Sequence, residues 1–535
     1  MPMIRLLQLR SVAAGGLGIE GLGPRRVGGE IAAGCLGSLV SIAYCVSFSA
    51  LIFGGALASG LPLALWSFLA GTAAATMVVS LTTTLPPGIA GPRNPTIAVV
   101  SVLVVGIAGM VLAGGGTPET AIASALAGLV LATALTGAAF WLIGALRLGQ
   151  AVRFVPYPVI AGFLAASGWL LIVGGLKVAH GPVEAAAWFA LSPGLARAGL
   201  AVAFFAAIEV ARRRGAGGAL LPVAFFGAAI VLDVVLHAAG SPQGWHLAGA
   251  GQPQAWLPLA SPIPAIDGHA IAMHAVEIGA VAGVAVITLL LDVSGLEAQR
   301  EATADLDKEF RWNGIANLAV APLGGAAVAL APNSSRLVEE GGGRTRLSGL
   351  AGGLLVLGVI ASGVDIAVLL PTPVLGGLLV LLGATILRDV IRARPAGGSQ
   401  LDWVLAVLIM LSILQLGYLP GVVIGLVAAC IAFAVRYSRI GVIRRHLTRA
   451  AFAAPMERPK EDRDFLAAEG GRIHVFWLSG FVFFGSATGV ADAIREAVGP
   501  ADKAGGRRWV VLDLSGVTGL DSSALLSLAK FTAWA

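Results

Sequence analysis

Charge is what this sequence has least of. Asp, Glu, Lys and Arg make up 12% of its 535 residues, about half the share that ordinary soluble domains carry to meet water. With 57% hydrophobic residues and a mean hydropathy of +0.88, the solvent for most of the chain is lipid. That excludes a soluble enzyme and a disordered tail. Cysteine is also scarce: Cys35, Cys45 and Cys430 lie in apolar runs without CxxC or His-rich spacing. Neither a disulfide framework nor a metal site is expected, and no cofactor beyond a coupling Na+ or H+. The first 28 residues hold four arginines but no uninterrupted apolar core with a cleavage site, so they read as a cytoplasmic arm rather than a signal peptide.

From residue 29 to about 437 the sequence is a series of apolar stretches broken by short polar or Gly/Pro pieces. At about 20 residues per spanning helix, twelve to fourteen spans fit. Of 35 Lys and Arg, 21 precede residue 436, gathered at 147–153, 212–214, 300–311, 336–346 and 388–394, whereas 114–120, 240–274 and 415–420 have none. The positive-inside rule places the basic loops and both termini in the cytoplasm of a cell with this chain in its inner membrane, which requires an even number of spans. Topology accounts for the net charge of +6, and nucleic acid is not expected as a partner. Residues 438–471 read as a basic and charged linker. Residues 472–535 have soluble α/β periodicity: RIHVFWLSGFVFFG as a strand pair, SATGVADAIREAV as a helix, RRWVVLDLSGV as a buried strand, and DSSALLSLAKF as a helix capped by Asp521 or Ser522.

Two places break the bilayer pattern. In PPGIAGPRNPTIAVVSVLVV, Pro86, Pro87, Pro92 and Pro95 with Gly88 and Gly91 delay any helix until about Pro92. In GGAAVALAPNSSRLVEEGGG, Gly324, Gly325 and Pro332 repeat that grammar about 240 residues later, with Asn333, Ser334 and Ser335 at the new start. Paired interruptions in corresponding halves point to a transporter binding site between two repeats of about seven spans. A helix N-terminus at midplane offers unpaired N–H groups and a positive dipole end to an anion. Arg93 adds a full charge beside the first start. Asp292 closes an uncharged run after Glu277; an intramembrane carboxylate of that kind binds a cation, carries a proton or balances an arginine.

GPRNPT, FVPYPVIAGFLAASGWLLIVGGLK, KEFRWNGIANLAVAPLGG and GGGRTRLSGL, in this order along the chain, resemble the signatures of the SulP family of anion permeases. WVVLDLSGVTGLDSSALLSL is similar to the STAS module that such permeases carry, here ending after its second helix. The resemblance implies fourteen helices as two inverted seven-helix repeats, a core domain moving against a gate domain as an elevator, and a homodimer. It implies proton or sodium symport or exchange of sulfate, bicarbonate or a related anion, with no enzymatic step. Carried across, the substrate site comprises Tyr44, Phe48, Gly91, Pro92, Arg93, Asn94, Asn333, Ser334 and Ser335, with Asp292 for coupling. Span one has Tyr44 and Cys45 in place of the family's Pro-Gln pair, and the tenth-span arginine of many members falls on Ser334, so Arg93 stands as its replacement. Ser522 or Ser523 matches the phosphorylated serine of STAS relatives, where a cytoplasmic protein partner would dock. Three other readings stay open: a same-fold carrier of nucleobases or amino acids, an anion channel, and a membrane-anchored regulatory protein without transport.

Overall fold

The computed structural model describes residues 24–149, 156–181, 193–215, 220–238, 240, 245–247, 266–364, 366, 369–392, 400–438, 441–452, 456–482, 484–499 and 508–535. Most of the arm read at 1–28 lies outside them. The chain divides into two compact units at Gly425.

The first unit is helical. Its first half contains α1 (Pro24–Ile52), α2 (Leu61–Thr82), a three-residue strand β1 (Ala90–Pro92), α3 (Asn94–Ala113), α4 (Pro118–Ala145), α5 (Tyr157–His180), α6 (Pro193–Arg213) and α7 (Leu220–Ala238). The second half repeats the sequence of events with α8 (Ala275–Arg300), α9 (Leu306–Val320), β2 (Val328–Leu330), α10 (Pro332–Glu340), α11 (Arg346–Ser362), α12 (Thr372–Arg392), α13 (Gln400–Leu416) and the start of α14 (Tyr418–Ser438), which runs on into the second unit. Among the described residues nine helices are long and apolar enough to cross a bilayer, and α11, α13 and the 420–432 part of α14 are shorter apolar helices. The chain is therefore a multi-pass membrane protein. Local chemistry sets the ends: the Thr117 hydroxyl accepts from Thr120 N–H ahead of α4, with Pro118 in the first turn, and Asp305 accepts from Lys308 N–H ahead of α9.

The helices sort into two bundles. In one, α4 packs on α9, α3 and α8, while α11 packs on α1 and α2. In the other, α5 packs on α12 and α13, and α6 on α12. Glycines allow the α5–α12 approach: a Cβ on Gly175 would meet the Gly376 carbonyl oxygen at 2.6 Å, so only the bare backbone fits. Between the bundles, α1 and α3 carry most of the contact.

The second unit contains a three-stranded sheet in the order β3 (Ile443–Thr448), β4 (Ile473–Val482), β5 (Trp509–Leu520), with β3–β4 antiparallel and β4–β5 parallel. Helices α15 (Lys460–Glu469), α16 (Phe484–Val498) and α17 (Ser522–Trp534) complete it. Phe476, Leu478, Val482, Val490, Ile494 and Phe531 form its core. Three sequence expectations change. The stretch read as a strand pair is one strand, β4, because Phe484 onward turns helical. The segment read as linker supplies β3, whose Leu447 pairs with Val475. The strand read as buried is the sheet edge, with Trp509 60% and Val511 47% exposed, since only β4 pairs with it. Asp521 caps α17 as expected, accepting from Ala524 N–H at 2.5 Å.

On this sheet His446 Nε2 and His474 Nδ1 lie 3.0 Å apart, and His446 stacks on Phe476 with ring centroids 4.2 Å apart. Burial, then the adjacent His446 and Arg508 charges, hold the His474 ring below its usual range. The unfolded chain therefore binds the proton more readily, and the stability His474 contributes is present above about pH 6.5 and lost as pH falls through the folded value. In the full chain, amide exchange of β3 and β4, corrected for intrinsic rates, is expected to accelerate on acidification below about pH 6.5, and His474→Phe is expected to flatten that dependence.

Candidate functional site

Extended backbone inside a bilayer leaves N–H and C=O groups that water cannot reach, so each must find a protein partner. β1 and β2 meet this demand first by pairing with each other antiparallel, Ala90 opposite Leu330, Gly91 opposite Ala329 and Pro92 opposite Val328. All six residues are buried. Flanking bonds extend the pair: Ala331 N–H donates to Ile89 O at 2.8 Å, and Ile89 N–H to Ser335 Oγ at 3.0 Å. The outer edges are served by side chains. Thr76 of α2 donates its hydroxyl to Ala90 O at 2.8 Å and accepts from Ala90 N–H at 3.3 Å. In the other half Asn317 of α9 donates to Val328 O at 2.7 Å and accepts from Val328 N–H at 2.8 Å. Asn313, one turn earlier, accepts from Leu330 N–H at 3.0 Å.

The crossing brings two helix N-termini into one region. Neither has a side-chain cap: Arg93 precedes α3 and Ala331 precedes α10, both extended. Their first-turn N–H groups thus lack the usual serine or aspartate oxygen. Arg93 is turned onto Asp292 of α8, with Nε donating to Oδ2 at 2.7 Å and Nη2 to Oδ1 at 2.8 Å. The side chains are 9% and 12% exposed. This two-pronged pair is electrically neutral, so the positive potential at the crossing comes from the helix dipoles. Asn94, 7% exposed, has a buried Oδ1 without a hydrogen-bond partner. Ser334 Oγ is 3.5 Å from Ser41 Oγ.

A cavity of about 450 Å³ reaches this region. Tyr44 and Asn333 lie on its wall. Arg212, Arg336, Arg388, Glu340 and Asp389 also line it, so it runs from buried Tyr44 to exposed charged residues of the basic loops. Of the residues proposed from sequence, Tyr44 and Asn333 therefore meet the cavity. Gly91, Pro92, Arg93 and Asn94 form the approach to α3, and Ser334 and Ser335 the first turn of α10. Ser335 serves Ile89 backbone. Phe48 is fully buried beside Tyr44, ring centroids 5.8 Å apart, and is not part of the cavity wall. Ser522 opens α17 and is exposed; the side chain of Ser523 lies outside the described residues.

Residues 28–409 match the model of the sulfate permease family. The chain belongs to that family. The bicarbonate transporter BicA of Picosynechococcus sp. is 23% identical over 529 residues, covering 94% of this chain and 86% of the relative. A vacuolar basic amino acid transporter, VSB1, of Saccharomyces cerevisiae is 21% identical over 423 residues, or 75% of this chain. The chain spans only 41% of that yeast protein's length. Among solved structures, the transmembrane domain of a cyanobacterial BicA superposes with a TM-score of 0.56 at 22% identity, covering 76% of this chain and 98% of the other. The murine Slc26a9 anion transporter in the inward-facing state gives 0.68 at 17% identity, covering 95% and 83%.

Sequence reasoning missed the groups that hold this permease's crossing in place. Asn313 and Asn317 stand one turn apart in the uncharged 312–320 part of α9, and that spacing was the available signal. Glu309 was missed as well. It is 1% exposed, and its Oε1 accepts from Thr83 Oγ1 at 2.9 Å, Thr84 N–H at 2.5 Å and Thr84 Oγ1 at 2.7 Å. Arg300 donates to the Leu85 and Pro87 carbonyls at 2.6 and 3.1 Å and pairs with Glu339 at 2.6 Å. The segment entering β1 and the end of α10 are thus joined through α8. Asn317→Ala is expected to leave both Val328 groups unpaired, lowering stability by roughly 1–3 kcal/mol for each. Thermal unfolding in detergent should show the loss, whereas Asn317→Asp, which keeps one acceptor, should fall between.

Proposed function

We propose that this permease is a secondary carrier of a small anion, sulfate, bicarbonate or a related inorganic anion or carboxylate, working by elevator-type alternating access. The observation that carries the proposal is the meeting of two uncapped helix N-termini beside a cavity that the start of α10 lines. Their dipoles and N–H groups suit a negative solute. The family match and the names of the bacterial and mouse relatives support the same class. The two-bundle packing supports the elevator: α1–α4 with α8–α11 would move as the anion-bearing core against α5–α7 and α12–α14. By the positive-inside rule the basic loops at the cavity mouth support an orientation with that mouth, and both termini, on the cytoplasmic side of the cell membrane. The working unit would be a homodimer, with the C-terminal unit as a STAS-like docking module and Ser522 or Ser523 as its phosphorylation point.

The Arg93–Asp292 pair gives the coupling step. While Asp292 is ionised it occupies the Nε–Nη2 edge of the guanidinium. A proton on Asp292, or a sodium ion beside it, would release Arg93 to the anion, so that anion and cation enter together and the site stays near neutral. Removing one partner alone strands a buried charge, at about 3–5 kcal/mol, so the test uses conservative and paired changes. In proteoliposomes, [35S]sulfate and [14C]bicarbonate uptake is expected to respond to an imposed proton or sodium gradient. Asp292→Asn should keep exchange but lose gradient-driven accumulation. Arg93→Gln with Asp292→Asn should fold and abolish uptake. Full transport by the double variant would remove the pair from the site. A second reading follows from the same carboxylate with Asn94 and Asn333, which suit an organic zwitterion; inhibition by arginine or uracil but not by sulfate or bicarbonate would select it.

A further inference from the structure

We propose that Arg212 is a one-sided anion-binding residue, supplied by the opposite bundle, that sets affinity for oxyanions on the cavity face only. The proposal rests on the anion-carrier reading above. The cluster at 212–214 was accounted for by topology alone, yet the three cavity arginines are not equivalent. Arg388 donates to both oxygens of Glu209 at 2.9 and 2.8 Å and lies 3.6 Å from Asp389. Arg336 pairs with Glu340 at 2.9 Å. Arg212 has no carboxylate within ion-pair distance among the described residues, its charge bearing on Glu209 one turn away without a direct contact, and it lines the cavity with Tyr44 and Asn333. Arg93, the other cation of the region, is held by Asp292. Arg212 is therefore the cavity cation left to meet a solute.

Its place in the fold makes the effect one-sided. Arg212 is in the last turn of α6, which packs on α12 and α5. Tyr44 and Asn333 belong to α1 and α10 of the other bundle. Sliding of one bundle past the other carries the helix starts and their anion away from Arg212. Lining the same cavity as Asn333, its guanidinium fork would suit a planar or tetrahedral oxyanion with two acceptor oxygens better than a halide. The nearby carboxylates of Glu340 and Asp389 keep the remaining mouth close to neutral, so Arg212 is the dominant local attraction.

The test uses the full chain in vesicles sorted by orientation, with [35S]sulfate and [14C]bicarbonate as probes. Arg212→Gln is expected to raise KM about tenfold on the face bearing residues 336–340 and 388–389, leaving KM on the other face and the maximal rate unchanged. Arg212→Lys should recover part of the loss, and chloride competition should change less than bicarbonate competition. An unchanged KM on the cavity face, or an equal rise on both faces, overturns the proposal and returns Arg212 to topology. Absence of wild-type flux for both probes overturns the carrier reading itself and the role of Arg212 with it, a result distinct from a normal wild type with an indifferent variant.

Discussion

Two three-residue strands crossing inside a helical bundle are the constraint on which the rest of this molecule depends. Their backbone groups cannot turn to water, and helices cannot satisfy them. The protein answers with an antiparallel pair and a fixed set of side chains, Thr76 on one side and Asn313 with Asn317 on the other. Because those side chains come from α2 and α9, the helices equivalent in the two halves, the solution is repeated rather than copied: a hydroxyl does in one half what a primary amide does in the other. Each choice satisfies one donor and one acceptor of a single peptide edge.

That arrangement has an electrostatic consequence. Ending each strand at a helix start, without a capping side chain, leaves polar N–H groups aimed into a shared space. A neutral Arg93–Asp292 pair beside them adds structure without adding net charge. The site is therefore built from oriented dipoles more than from ions, and a dipolar site can hold an anion without the desolvation cost that a free buried arginine would carry. It also makes the occupancy of Asp292 a natural control on how much positive charge the site shows.

Behind the site, charged residues brace the segments that enter it. Glu309 gathers the Thr83–Thr84 turn, Arg300 holds the next two carbonyls and reaches Glu339, and Glu30 of α1 accepts from the Arg344 and Thr345 N–H groups ahead of α11. Apart from Arg300–Glu339, which lies within the second half, these are contacts between segments two or three hundred residues apart that tie one half of the chain to the other. Such ties hold the bundle together where apolar packing alone does not distinguish a neighbouring helix from an acyl chain.

Much of this was legible in the residues. Low charge and apolar periodicity determined a multi-span membrane protein, and Pro and Gly placement determined where the two spans break, since those residues act through local backbone geometry. Motif order was enough to point to the sulfate permease family. The C-terminal segment was read less well: β3 was hidden in a basic stretch because an edge strand of six residues carries little periodicity. What only the tertiary structure decided are the pairings across the halves. Arg93 and Asp292 each stood out alone, but that they bind each other depends on how α8 lies beside the start of α3. Asn317 and Glu309 looked like ordinary polar residues until the backbone they satisfy came beside them. Local rules fix where a chain must stop being helical; which distant side chain then meets the exposed peptide is a property of packing, and no spacing in the sequence encodes it.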